Sequence, residues 1–389
     1  LKFCDLTQFY SPVSGGVKRY IEQKVAYLRK YRPGDEHLLI IPGEKTEQIG
    51  DDVARVYLVK SPLISRTSRY RALFRLGVVE EILEREKPDL IESGDPYQVA
   101  WKAVVSGRAL GIPAVGFYHS HFPEAYIRSV AKYFGRYAVR ATEEFAKHYI
   151  HSLYNHFART MVPSPALAGL LREWGVENVV NTDLGVDTDI FVPGEAPAGL
   201  RRELAVPDAA RLLLYVGRLA SEKNVKTLFS AFELLNEAEC GRWHLLAIGD
   251  GTQRASLQAL RDRTGAVTWL PYCSDAAQLA DYYRVADLFV HPGICETFGL
   301  VTLESQASGT PVVGIKGSYM DRIIFTNQSH WAAENTPEAL AAAIRENGGH
   351  DLRAAGLAAS ATVRARYSWR SVFDRLFGIY EQVIGEYSP

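Results

Sequence analysis

Cysteine is scarce in this 389-residue chain: Cys4, Cys240, Cys273 and Cys295 are scattered, with no CxxC pair and no histidine at metal-ligand spacing. That excludes a disulfide-dense scaffold and argues against a structural zinc site, and unpaired cysteines fit a reducing cytoplasm. Apolar runs are short, and none approaches the roughly 18 residues that span a bilayer. The chain opens on an apparent strand, LKFCDLTQF, rather than a charged-then-apolar leader, although a first residue of Leu rather than Met leaves a trimmed leader open. Net charge is nearly absent, at −1 from 44 Lys+Arg and 45 Asp+Glu, so no global field draws the chain to nucleic acid. Short-period repeats and low-complexity tracts are missing too. What is there, 47% hydrophobic and 23% charged residues, is the composition of a globular protein with sizeable cores. Its length suits two domains, or three.

Short β-branched or apolar runs alternate with helical periodicity, the signature of βαβ units and a mostly parallel sheet. The first half offers FCDLT, HLLII, ARVYL, DLIES, AVGFY and RTMVP, with helices predicted over residues such as Val17 to Lys30 and Tyr70 to Glu86. The second half begins afresh with RLLLYVG, HLLAIGD, AVTWLP, DLFVHPG and PVVGIKG. Two Rossmann-like α/β domains follow, 1–185 and 186–369, joined where NTDLGVDTDIFVPGEAPAG interrupts the rhythm. The halves differ in sign: 25 basic and 21 acidic residues up to 185, then 19 and 24. Helical segments are predicted from Pro337 to Tyr367. In the last helix, within 370–389, Val372, Phe373, Leu376, Ile379, Tyr380 and Val383 share a face that must dock.

HPGICETFGLVTLESQASGTPVVG, residues 291–314, reads as strand, glycine-bearing loop, helix and strand. Ligands of open parallel sheets bind beyond the carboxyl ends of the strands, and a helix starting near Phe298 would aim its free N–H groups there, which suits a pyrophosphate. Glu296 and Glu304, about 12 Å apart if both are helical, could serve two parts of one ligand rather than share a proton. A helix-start Glu296 and a solvated Glu304 is the plainer alternative. After the strand of YVGRLASEKN, Arg218 and Lys223 are cations that could stabilise charge on a departing phosphate, or simply solvated surface. Gly15 and Gly16 open a helix without the GxGxxG fingerprint. His119 and His121 end the strand AVGFY as HxH, with no third metal ligand in view. Asp187-Thr188-Asp189 spells DxD, a spacing that elsewhere holds a divalent cation on phosphates, but it lies in the linker and reads as a turn. Arg128, Lys132, Arg136 and Arg140, spaced by fours, form a basic stripe. Two readings stand for it: contact with an anionic membrane, or the solvated face of a core-packed helix.

ETFGLVTLE resembles the Glu-x7-Glu motif of retaining, sugar-nucleotide-dependent glycosyltransferases of the GT-B fold, the large group-1 family. SPVSGGVKRYI resembles that family's amino-terminal glycine loop, FYHS its histidine segment, GVDTDIFVP its interdomain segment and YVGRLASEKN its basic phosphate-binding segment. LAIGDG, ADLFVHPG and the closing YSW with its helix fall in the family's order. The resemblance implies two Rossmann-like domains facing across a cleft, with the final helix packing back onto the first. It implies transfer of a hexose from a UDP- or GDP-sugar to a hydroxyl acceptor, a glycolipid or polysaccharide precursor, with retention. It gives Glu296, Lys223, Arg218 and His119 catalytic parts. Gly15, Gly16, Phe298, Gly299, Leu300, Glu304 and Gly249 fall to the donor, with Glu304 on the ribose. Front-face attack, in which the departing phosphate accepts the acceptor's proton, is the implied mechanism. No cofactor, metal or nucleic acid is expected, and the implied place is the cytoplasm or the inner face of its membrane. GSYMDRI, residues 317–323, departs from the family's usual glycine pair and later Glu. A GT-B-like epimerase and a non-catalytic sugar-nucleotide-binding protein are the rival classes.

Overall fold

The computed structural model describes the chain except residues 9, 11–15, 65–69, 120–139, 295–297, 319, 321, 326–327 and 388–389. It divides into two compact units, Leu1–Leu184 with Val372–Pro389, and Gly185–Ser371.

The first unit is built on β1 (Lys2–Leu6), α1 (Gly16–Tyr31), β2 (Glu36–Gly43), β3 (Glu47–Gly50), β4 (Ala54–Lys60), α2 (Leu76–Glu86), β5 (Leu90–Ser93) and α3 (Gln98–Leu110). It continues through β6 (Ala114–Phe117), a helix over 140–154 (α4), β7 (Arg159–Val162), α5 (Pro165–Glu173) and β8 (Val179–Asn181). The sheet order is β3-β4-β2-β1-β5-β6-β7-β8, parallel throughout except for the antiparallel pairing of β3 with β4. Strands covered on both faces read as largely unbroken apolar runs, which is why HLLII and AVGFY were legible. The polar edge strand EQIG and the three-residue β8 carry no such signal, and the sequence reading passed over both. The helix predicted over Tyr70 to Glu86 starts only at Leu76, because Arg71 pairs with Leu63 across an antiparallel bridge.

In the second unit α6 (Leu200–Glu203) precedes β9 (Arg211–Val216), α7 (Val225–Ala238), β10 (Trp243–Ile248), α8 (Arg254–Thr264), β11 (Val267–Leu270), α9 (Ala276–Val285) and β12 (Leu288–Val290). Then come α10 (Leu300–Ala307), β13 (Val312–Val313), α11 (Pro337–Gly348), α12 (Arg353–Tyr367) and α13 (Trp369–Glu386). The parallel sheet runs β11-β10-β9-β12-β13, so the strand order reverses between β9 and β12. That reversal opens a crevice at the carboxyl ends of β9 and β12, the general place for a ligand in such sheets. Both units are therefore the α/β, Rossmann-like type that the strand–helix rhythm predicts.

From Val372 onward α13 belongs to the first unit. Val372, Phe373, Leu376, Tyr380 and Val383 are buried as the periodicity predicts, but Ile379 stays partly exposed and Phe377, which the sequence reading omitted, is fully buried. Phe377 meets Phe3 edge-on at 4.9 Å and stacks on Tyr27 at 5.3 Å. Among the described residues no helix is long and apolar enough to cross a membrane.

Candidate functional site

In the second unit the β9, β10 and β12 loops converge on the crevice. After β9 the chain passes Gly217 and Arg218 into a single 3-10 turn, Ser221–Lys223. The Arg218 side chain is 66% exposed and pairs with Glu222 at 3.3 Å, leaving most of its guanidinium to solvent. Asn224 then takes a left-handed conformation, φ +56°, and its amide Nδ2 donates to the Pro292 carbonyl at 2.8 Å and to Asn335 Oδ1 at 2.7 Å. Lys223 is thereby held next to a loop sewn to the one that follows β12. Asn224 lies within the basic segment but drew no role from the sequence; an Asn directly before a helix and after a strand-end turn was the available signal.

The glycine of LAIGDG has a steric reason. At Gly249, φ +140°, a Cβ would lie 2.0 Å from the Gly217 carbonyl oxygen, so the β9 and β10 loops can approach only without a side chain there. In the structure Gly249 thus shapes the loop that carries Arg218. At Gly299, φ +80°, a Cβ would fall 2.3 Å from Met320 Sδ. Gly299 caps α10 in the left-handed region, which moves the predicted helix start from Phe298 to Leu300. Phe298 is buried, with the Arg322 guanidinium over its ring at 5.1 Å. What Phe298 and Gly299 can offer a ligand is therefore backbone, at the positive end of α10.

Glu304 is only 2% exposed, and its Oε2 accepts a hydrogen bond from the Tyr283 hydroxyl at 3.1 Å. The solvated-surface alternative for this residue does not hold. Its presumed partner Glu296 lies outside the described residues, as do Gly15, His121, Arg128, Lys132 and Arg136. Arg140, the last of the basic stripe, is exposed on α4. Asp187 accepts from the backbone N–H groups of Asp189 and Ile190 at 3.0 and 3.3 Å, so it closes a turn. Among the described residues no three His, Cys, Asp or Glu side chains gather as a metal site.

In the first unit the order reverses at β1, between β2 and β5, and Gly16 and His119 follow the carboxyl ends of β1 and β6. Gly16 is the first residue of α1, and a Cβ there would meet none of the described residues within 4 Å. His119 stacks on Phe117 at 4.0 Å and meets the Tyr20 ring edge-on at 5.1 Å. Burial, and after it the charge of Lys24, push the His119 imidazole down to about 3 against the opposing pull of Asp5. It is neutral at physiological pH and can exchange hydrogen bonds without carrying charge.

Sequence reasoning missed the charged cluster behind His119. Lys24 is 1% exposed on the apolar stripe of α1, and its Nζ donates to Asp5 Oδ1 at 2.7 Å and to the Tyr380 hydroxyl at 3.1 Å. It also pairs with Glu92 Oε2 at 3.2 Å, while His37 Nε2 holds the other Asp5 oxygen at 2.7 Å. Glu92 is raised by burial, and Tyr20 and Tyr380 both donate to it. The signal was there: Tyr20, Ile21, Lys24, Tyr27 and Leu28 are the helix's buried positions, and charges sit in the apolar runs FCDLT and DLIES. Nearby Asp95 is buried after β5, and its Oδ2 accepts from the Gln8 backbone N–H at 2.8 Å.

The comparisons with known proteins agree with this architecture. Residues 14–190 match the model for Glycosyltransferase Family 4, and residues 199–347 that for Glycosyl transferases group 1. A GDP-mannose-dependent alpha-(1-6)-phosphatidylinositol dimannoside mannosyltransferase of Mycobacterium tuberculosis is 32% identical over 356 residues, 89% of this chain and 87% of that one. A GDP-mannose-dependent alpha-mannosyltransferase of Corynebacterium glutamicum is 30% identical, over 79% of this chain and 71% of that protein. Among solved structures, a sucrose-phosphate synthase from Thermosynechococcus elongatus superposes with a TM-score of 0.76 at 20% identity, over 99% of both chains. A glycosyltransferase from Rickettsia africae does so at 0.75 and 19%, over 99% of this chain and 98% of that one. The chain belongs to the group-1, family-4 glycosyltransferases of the GT-B fold and is an enzyme that transfers a sugar from a nucleotide donor to an acceptor.

Proposed function

We propose that this glycosyltransferase takes mannose from GDP-mannose and places it, with retention of configuration and without a metal ion, on a hydroxyl of a lipid-linked saccharide. The observation that carries the reading is the loop after β9, which bears an exposed Arg218 and a turn-borne Lys223 and is tied through Asn224 to the Pro292 carbonyl on the segment that leads toward α10. A leaving nucleoside diphosphate gains negative charge as the glycosidic bond breaks, so cations and helix N–H groups held in place favour the transition state over the ground state. Arg218 and Lys223 do for the diphosphate what a divalent ion does elsewhere, and Asp187 is engaged in closing its turn.

Buried Glu304, oriented by Tyr283, is assigned to the ribose hydroxyls, and Glu296 to the sugar. His119, neutral at working pH, is assigned a hydrogen bond to the transferred sugar rather than proton transfer, since a base this weak takes up no proton near pH 7. The departing phosphate then accepts the acceptor's proton. The choice of GDP-mannose rests on the relatives, whose names specify that donor and, in one case, a phosphatidylinositol mannoside acceptor. Thermal unfolding with a panel of sugar nucleotides tests it. GDP-mannose and GDP should raise the midpoint while UDP-glucose and UDP do not; stabilisation by the uridine set alone would overturn the donor assignment.

A further inference from the structure

We propose that Lys24 is a positioning residue for His119, acting through the ring of Tyr20. The Lys24 ammonium sits over the Tyr20 ring at 4.5 Å, and the same ring meets the His119 imidazole edge-on at 5.1 Å. On its other side the imidazole lies flat on Phe117, 4.0 Å away at 5°, so one ring stacked on it and one set edge-on to it constrain its tilt and its height above β6. Tyr20 meets Phe117 as well, at 5.2 Å, which closes the triangle.

A buried lysine is costly unless its charge is fully partnered. Here Asp5 of β1, Glu92 of β5 and the Tyr380 hydroxyl of α13 partner Lys24, and His37 of β2 steadies Asp5 from behind. Three elements besides α1 therefore meet at one ammonium, with β2 behind them through His37. The Tyr20 hydroxyl donates to Glu92, so the ring is pinned at its far end by the cluster and at its face by the cation. The charge has a second effect in the same direction, since a cation close by disfavours the imidazolium and keeps His119 in its hydrogen-bonding neutral form.

The inference rests on the reading that gives His119 a place at the transferred sugar, and two measurements separate the two claims. The first needs no substrate. In protein labelled at histidine Cε1, the His119 resonance is assigned by its disappearance in His119→Ala. Positioning through the ring predicts that Tyr20→Leu and Lys24→Met both shift this resonance and that Tyr20→Phe leaves it close to its native place. An unmoved His119 resonance in Lys24→Met, which keeps both neighbouring rings, overturns the proposal. Because Lys24→Met leaves Asp5 and Glu92 without their cation and can fail to fold, the charge-balanced Lys24→Met/Glu92→Gln is read beside it, and a His119 resonance unmoved there overturns the proposal as well.

The second measures transfer from GDP-mannose. Displacing a catalytic group by about 1 Å costs up to about 10² in rate. Tyr20→Leu and Lys24→Met should lower kcat tenfold or more with KM for the donor within twofold, and Tyr20→Phe should restore most of it. Placed on His119→Ala, the same changes should cost less than twofold. Equal losses in both backgrounds would show a merely structural role and overturn the proposal. Native kcat in His119→Ala would instead overturn the reading of His119, and the proposal with it.

Discussion

At Gly16 a side chain would meet none of the described residues, so their packing does not require glycine at this helix position. Alanine there should hold or raise stability, by up to about 1 kcal/mol, since glycine is the poorer helix former. If the bare backbone faces the donor, Gly16→Ala should nonetheless lose tenfold or more in transfer, a split between midpoint and rate that unfolding and activity measured side by side would show. A second prediction concerns Asp95. Burial raises it from 3.8 to about 6, against hydrogen bonds from the Gln8 and Tyr97 backbone and from Thr7. The folded state thus holds this proton between about pH 4 and 6 while the unfolded chain releases it. Its contribution is fully present below pH 4 and is lost as pH rises through 6, a swing of up to about 3 kcal/mol. Asp95→Asn should therefore flatten the fall in the unfolding midpoint across that window; an unchanged pH profile would contradict the assignment. These residue-scale features were half legible. Gly16 stood out as a glycine opening a helix, whereas Asp95, Lys24 and Glu92 are charges whose burial depends on partners remote in sequence, such as Tyr380 on Lys24.

Elements were the most readable level, for a physical reason. Strands sealed on both faces must be apolar, and each of the named runs, from FCDLT to PVVGIKG, lies on a strand. Reading failed where burial is one-sided or brief, in β3 and β8, and where a bridge between Leu63 and Arg71 delayed α2. The helix α13 shows both outcomes. Its apolar stripe forecast docking, but Phe377 rather than Ile379 fills the interior, packed on Phe3 and Tyr27 with the Arg32 guanidinium 4.9 Å from its ring. Phe377→Ala should destabilise the first unit by about 3–5 kcal/mol, the usual cost of emptying a buried phenylalanine site. Denaturant unfolding would register it as a lower midpoint. A loss under 1 kcal/mol would mean that the helix is not needed to complete this core.

At the scale of the whole molecule, the reversal of strand order between β9 and β12 explains why segments far apart in sequence meet. The basic loop of 217–224, the glycine turn of 249–251 and the turn into α10 all follow carboxyl ends of neighbouring strands. The motifs were legible singly, and the family's order linked them; the tie from Asn224 to Pro292 that fixes their spacing was not, because it joins residues with no periodic relation. If Arg218 and Lys223 serve the diphosphate, transfer should survive exhaustive chelation, and activity abolished by chelation and restored only by magnesium or manganese would return Asp187 and Asp189 to consideration. The central claim is that the β9 loop acts on the leaving group. Its most direct test is the rate of mannose transfer from GDP-mannose by Lys223→Ala, measured on protein whose unfolding midpoint matches the native one. Loss of one such charged contact should cost about 3–4 kcal/mol, or 10²–10³ in kcat; turnover within a few fold of the native enzyme would contradict the account.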